Sequence, residues 1–223
     1  MRPNEVQLWR ASLDLPDSAL ARLEGFLDPD ERQRAVHFRF EHDRRRFIAA
    51  HGFLRELLGR QLAVSPVKIL FDHNPNGKPQ LAGSCEMDLR FNLSHSDSLA
   101  VFAFTTGREI GVDVELVKEM PDLEAIARQS FSSEDCARLA AAAAGEQAGL
   151  FYRLWTRREA VAKCTGQGIA QPTVNEKFFG TVLEMTPAPG FLGAVAVEKG
   201  EIDLGGPTSL SRAPDNPAPV RIH

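Results

Sequence analysis

An α+β fold is what the sequence predicts, on three observations. Between residues 18 and 60 apolar side chains recur at helical spacing, whereas from 67 to 116 they run in short β-type segments. The change is repeated further on, where helical spacing from about 132 to 165 gives way to the strand-like FLGAVAVEKG. With 43% of its 223 residues hydrophobic, the chain can bury the core of one large domain or two small ones. Residues 1–112 and 113–204 therefore read as two α+β halves, each running helices and then strands. Residues 205–223, rich in Pro and Gly, read as a poorly ordered tail. Identity between the halves is too faint to establish a repeat from the residues alone.

The elements follow in order. VQLWRASL (6–13) is β-rich and opens the fold as a strand, and SALARLEGFL carries apolar residues at 20, 23, 26 and 27, a helical spacing. Asp28 then caps a new helix, with Pro29 at its first position and Glu31 closing a capping box. A helix over about 43–60 aligns Phe47, His51, Leu54 and Leu58, with Arg44, Arg45 and Arg46 in its first turn. VKILFDH, LRFNLSH, LAVFAFT and IGVDVEL read as strands, the last three as an antiparallel meander with LAVFAF at its centre. Ser132 caps the next helix, with Asp135 in its first turn; LAAAAAG continues it, and LFYRLWTRREAVAKCTG forms a long helix ended by Gly166.

Bulk properties exclude several functions. A net charge of −4 argues against general nucleic-acid affinity, although Arg32, Arg34, Arg39 and Arg44–Arg46 bunch early and suit a small anionic ligand. Cys85, Cys136 and Cys164 are odd in number and share no metal-type spacing, as expected of buried thiols in a reducing cytosol. No apolar run can cross a bilayer and MRPNEVQLW turns polar early, so the expectation is a soluble cytoplasmic protein.

Chemistry concentrates in a few stretches. In IGVDVEL, Ile110, Val112, Val114 and Leu116 alternate with Gly111, Asp113 and Glu115, which puts two carboxylates roughly 7 Å apart on one face. That spacing suits a hard divalent cation such as Mg²⁺, and equally a half-exposed strand wearing charge on its wet side. On the long helix, Trp155, Glu159 and Lys163 are spaced four apart and share a stripe, which fits either a working pair or a solvated ion pair. In FNLSHSDS, Ser94 and His95 diverge on a strand and lack the nucleophile elbow; His95 fits a plain turn or surface residue, and among functional roles one towards a phosphate is favoured over serine hydrolysis. Lys78 sits in the turn NPNGKPQ. Three arginines at a helix N-terminus oppose the macrodipole and ask for an anion.

In combination the order becomes specific: a basic helix, GKP, FNLSH, GVDVE and WTRREAVAK. The sequence resembles the Sfp-type 4′-phosphopantetheinyl transferases, whose signatures are a GxDxE strand and a WxxKExxxK helix with an SHS element upstream. Here these stand as Gly111 to Glu115, Trp155 to Glu159 followed by Lys163, and Ser94-His95-Ser96, while FRFEHDRRRFIAAHGFLREL resembles the family's first-half helix. The resemblance extends to about residue 200.

The resemblance implies a pseudo-dimer of two similar α+β halves with coenzyme A between them. It implies transfer of the phosphopantetheine arm to a serine of an acyl, peptidyl or aryl carrier protein by a monomer, with release of adenosine 3′,5′-bisphosphate. Mg²⁺ would be held by Asp113, Glu115 and Glu159, with Glu159 and Lys163 catalytic. Arg46, Lys78, Pro79, Ser94, His95, Asp113 and Lys163 would contact coenzyme A, and Arg34 is a further candidate for its 3′-phosphate. Arg158 stands where the family usually has Lys, which replaces a point charge by a planar fork. Trp155 is expected to anchor the helix by packing. The contrasting expectation is a catalytically inactive module that binds coenzyme A or a carrier without transferring.

Overall fold

The computed structural model describes residues 5–83, 88–166 and 178–199, together with the backbone of 203–204 and 218–219. Strand β1 (Glu5–Ser12) leads into helices α1 (Asp17–Glu24), α2 (Pro29–Val36) and α3 (Glu41–Leu62). A short hairpin, β2 (Phe71–His73) and β3 (Pro79–Leu81), precedes the long antiparallel pair β4 (Leu89–Ser96) and β5 (Leu99–Thr106). The second half begins with β6 (Ile110–Leu116), continues through α4 (Leu123–Ser130), α5 (Ser133–Ala141) and α6 (Ala144–Thr165), and closes with β7 (Gly180–Met185) and β8 (Phe191–Glu198). β9 (Asp203–Leu204) and β10 (Ala218–Pro219) return to β1.

The two halves repeat one topology. Each runs strand, three helices and an antiparallel pair, the first half adding the β2–β3 hairpin, and in each the last strand lies between the first and the one before it. The orders are β1-β5-β4 and β6-β8-β7. Face alternation then stacks four layers. Trp9, Ala11, Ala100, Phe102 and Phe104 face α3, while Val6, Leu8, Val101 and Ala103 meet Val112, Val114, Val195 and Val197 of the second sheet. Ala194 and Ala196 on that sheet's far side receive α6.

Several local predictions hold at atomic level. The Asp28 side chain accepts from the Glu31 N–H at 2.8 Å, and Glu31 accepts from the Asp28 N–H at 3.1 Å, so the capping box closes. Ser132 caps α5, Gly166 ends α6 at φ 67°, and β5 is central and almost wholly buried. α3 buries Phe47, Leu54 and Leu58, with His51 half-buried.

Other expectations are corrected. β6 is not the third strand of a meander, because it pairs with β8 in a second sheet. Its opposite edge is occupied by β4 side chains instead of a ladder: Val112, Val114 and Leu116 N–H groups donate to Asn92 Oδ1, Ser94 Oγ and Ser96 Oγ at 2.9, 3.4 and 3.2 Å. Of VKILFDH only Phe71–His73 is strand, since Pro66–Lys68 is a 3₁₀ turn. The alanine run does not extend α5, because Ala142 and Ala143 are extended at ψ 146° and 145°, and α6 starts afresh at Ala144.

The boundary at 112 falls inside β6. Within the presumed tail, Ala218–Pro219 pairs with Trp9 and Arg10, while 205–217 and 220–223 lie outside the described residues, as does Cys85. No helix among the described residues is long and apolar enough to cross a membrane.

Candidate active site

The site forms where β6 crosses α6 at unusually short range. Gly111 permits this, because a Cβ there would lie 2.1 Å from the Ala160 carbonyl oxygen and 2.3 Å from the Cys164 nitrogen. Alanines at 160, 162, 194 and 196 continue the thin interface. Short Asp113 on the strand thereby reaches long Lys163 on the helix. Lys163 Nζ donates to Asp113 Oδ1 at 2.6 Å and to Ser94 Oγ at 3.0 Å, and the Ser94 hydroxyl donates on to Asp113 Oδ1 at 2.9 Å. Glu115, two residues along, accepts from the Ser96 hydroxyl at 2.7 Å.

Three carboxylates share this region and repel one another. Burial raises the Asp113 pKa, against the offsetting charge of Lys163 and its hydrogen bond. Burial likewise raises Glu159, helped by the charges of Asp113 and Glu115 and opposed by Lys163 and Arg158. Glu115 is raised by burial and by Asp113, against the Ser96 hydrogen bond.

No three His, Cys, Asp or Glu side chains among the described residues already converge closely enough to share a metal ion. Yet Asp113 Oδ2 and Glu159 Oε1 are buried oxygens with no hydrogen-bond partner, an arrangement that costs roughly 1–3 kcal/mol each when left unmet. Hard oxygen donors with surplus negative charge are what Mg²⁺ takes, so the residues present fit that ion.

The remaining expected residues fall into two groups. His95, the exposed penultimate residue of β4, lies within the field of Lys163 and of α3; surrounding protein lowers its pKa most, with the charges of His51, Lys163 and Arg46 acting the same way and Asp43 against them. The arginines of α3 are met by the protein's own acids. Arg44 pairs with Glu41, Arg45 with Asp17, and Arg46 with Asp14 and Asp97, at 3.0, 2.7, 2.8 and 3.1 Å. Arg34 lies over the Phe47 ring at 5.2 Å from its centroid. Lys78 and Pro79 lie at the C-terminal end of α6, where Lys78 Nζ donates to the Cys164 carbonyl, beside a cleft of about 330 Å³ shared with Phe91 and Glu109. Trp155 packs against Phe151 and Phe131, an anchor as expected.

Sequence reasoning gave Asn92 and Ser96 no role of their own in the site. Their signal was polar residues at every second position of an otherwise apolar strand. It also left Gly111 without a role.

A strand carboxylate pair closed against a helix Glu and Lys, between two repeated halves, defines the class: the chain belongs to the 4′-phosphopantetheinyl transferase superfamily. The model of that superfamily matches residues 109–187, and that of the 4′-phosphopantetheinyl transferase N-terminal domain matches 9–107. Among its relatives, the 4′-phosphopantetheinyl transferase HetI of Nostoc sp. (strain PCC 7120) is 39% identical over 208 residues, covering 87% of this chain and 88% of that protein. A putative 4′-phosphopantetheinyl transferase of Synechocystis sp. is 31% identical over 166 residues, 74% of this chain and 67% of that one. The 4′-phosphopantetheinyl transferase Sfp of Bacillus subtilis is 31% identical over 151 residues, 68% and 65% respectively.

Proposed function

We propose that this chain, a cytoplasmic monomer, moves the 4′-phosphopantetheine group of coenzyme A onto a serine of an apo carrier protein and releases adenosine 3′,5′-bisphosphate. The observation that carries this reading is the Lys163–Asp113–Ser94 cluster beside the unpartnered oxygens of Asp113 and Glu159. Asp113, Glu115 and Glu159 would hold Mg²⁺, which when bound supplies positive charge to the pyrophosphate as a Lewis acid.

The protein's own groups do the rest. The serine oxygen forms a bond to the phosphorus that bears the pantetheine arm, and the bond from that phosphorus to the bridging oxygen breaks. Glu159, its carboxyl pushed up by burial and neighbouring charge, takes the serine proton directly or through a water. Lys163 offsets the charge that grows on the departing phosphate. Ser94, His95, Arg46 and the backbone of the Lys78–Pro79 turn orient coenzyme A.

The test is mass spectrometry of apo carrier proteins incubated with the chain, coenzyme A and Mg²⁺. Wild type adds one phosphopantetheine group and Glu159→Gln does not. Coenzyme A binding without transfer to any acyl, peptidyl or aryl carrier overturns the reading in favour of a non-catalytic module.

A further inference from the structure

The Lys78 ammonium has three acceptors and little water. Nζ donates to Glu109 Oε2 at 2.7 Å, to the Ile110 carbonyl at 3.0 Å and to the Cys164 carbonyl at 3.4 Å, and the side chain is 9% exposed. An ammonium has three donors, so this set accounts for all of them. Cys164 belongs to the last turn of α6, where a cation meets the negative end of the helix dipole.

The turn that carries Lys78 is built to reach that helix end. Asn74 Oδ1 accepts from the N–H groups of Asn76 and Lys78 at 2.9 and 2.8 Å, which folds the turn on itself. Asn76 then donates to the Gly166 carbonyl. Gly166 carries no Cβ, and one placed there would stand 2.8 Å from Asn74 Nδ2, so the turn sits directly on the helix end.

Glu109 fixes the arrangement from the other side. Its second oxygen accepts from Arg90 Nη1 of β4 at 2.8 Å, and its carbonyl accepts from the Glu198 N–H at 3.0 Å and the Cys164 thiol at 3.3 Å. Arg90, Glu109 and Lys78 thus tie a first-half strand, the link between halves and the first-half hairpin to the end of α6, one residue beyond Lys163.

We infer that Lys78 and Glu109 are a paired positioning device for the transfer reaction, one that caps α6 from the other half and holds Lys163 at its 3.0 Å and 2.6 Å contacts with Ser94 and Asp113. This departs from a phosphate-binding role for the Lys78 ammonium, and it rests on the proposed transfer reading. Its consequence is distinctive. A phosphate ligand acts through affinity for coenzyme A, whereas a brace for the helix acts on the placement of the reacting groups.

The experiment compares Lys78→Met, Glu109→Ala and the double variant in three measurements. These are coenzyme A affinity by calorimetry, kcat and KM with a carrier protein, and hydrogen exchange over residues 160–166. The expected result is a kcat about 10- to 100-fold lower in each single variant. The double variant should be no worse than the poorer single, coenzyme A affinity should stay within about twofold, and exchange at the end of α6 should quicken equally in all three. The milder Glu109→Gln serves if Glu109→Ala melts. Coenzyme A affinity falling in Lys78→Met alone, or independent effects that multiply in the double variant, overturns the pairing. Absence of transfer by wild type overturns the reaction reading instead, and leaves the exchange measurement to decide the brace.

Discussion

Helices α3 and α6 are both 22 residues long and lie on the outer faces of equivalent sheets, yet they stand on different supports. α3 is held off its sheet by Phe47, Phe53, Phe91, Phe102 and Phe104, so the space between is filled with hydrocarbon. α6 brings Ala160 and Cys164 down onto Gly111, Ala194 and Ala196, small residues that let helix and strand backbones come close. Where the support is thick, polar side chains on strand and helix cannot meet; where it is thin, Asp113 and Lys163 do. The buried charge of α3 serves its own helix layer instead. Arg55, fully buried, donates to Glu31 at 2.6 Å, to Asp28 and to the Ile69 carbonyl at 2.9 Å. One copy of the fold uses buried ions for anchorage, and the other keeps them under-satisfied for chemistry.

That contrast is open to a double dissociation. Glu159→Gln should cost transfer at least about 100-fold, read as kcat, while leaving the melting temperature unchanged or higher, because it removes a buried charge with an unpartnered oxygen. Arg55→Ala should do the reverse. It strands Glu31 and Asp28 and costs about 3–5 kcal/mol in urea denaturation, with the residual folded fraction still active. A Glu159 variant that unfolds, or an Arg55 variant that keeps its stability, would break the distinction.

Gly111→Ala sharpens it by thickening the support. The added methyl group cannot be accommodated 2.1 Å from a backbone oxygen, so stability should fall by about 1–3 kcal/mol and activity with it. Paired melting and transfer assays would show both losses together.

Acid provides a milder probe of the anchoring half. Burial pushes Glu31 up, but the His51 hydrogen bond and charge, Arg55 and the Asp28 N–H more than offset it, so its folded pKa lies below the ordinary 4.5. The stability Glu31 contributes is therefore complete above pH 4.5 and is lost as pH falls through the lower folded value. In Glu31→Gln that part of the acid slope should disappear from denaturation curves taken between pH 5 and 3. Least of all, Glu184→Gln removes only the exposed pairs with Arg153 and Arg157 on the outside of α6. It should change stability by less than about 0.5 kcal/mol on the same curves.

Much of this was legible in the chain, and what was not shares a cause. The capping box at Asp28 and Glu31, the Gly166 stop and the fully apolar β5 are decided by neighbours within a few residues, and the sequence shows them directly. The pairing of β6 with β8 joins residues some eighty positions apart, and nearness along the chain suggested β5 instead. β7 and α4, short and only partly buried, carried too weak a pattern to be seen.

Within the site, Asp113, Glu115, Glu159, Lys163 and Ser94 were recognisable by their motifs. Gly111 and Ser96 stood in those motifs too, but what they do depends, as for Glu109, on which residues distant in the chain pack against them, and that a local pattern does not record.

The seam between β4 and β6 has a genetic consequence. A backbone ladder is nearly immune to mutation, since only proline deletes one of its donors. Here the acceptors belong to Asn92, Ser94 and Ser96, so single-base changes can cut the joint one bond at a time, leaving both sheets intact. The union of the two halves is thereby written in side chains, and it can be loosened or tightened by the same small steps that alter any other side chain.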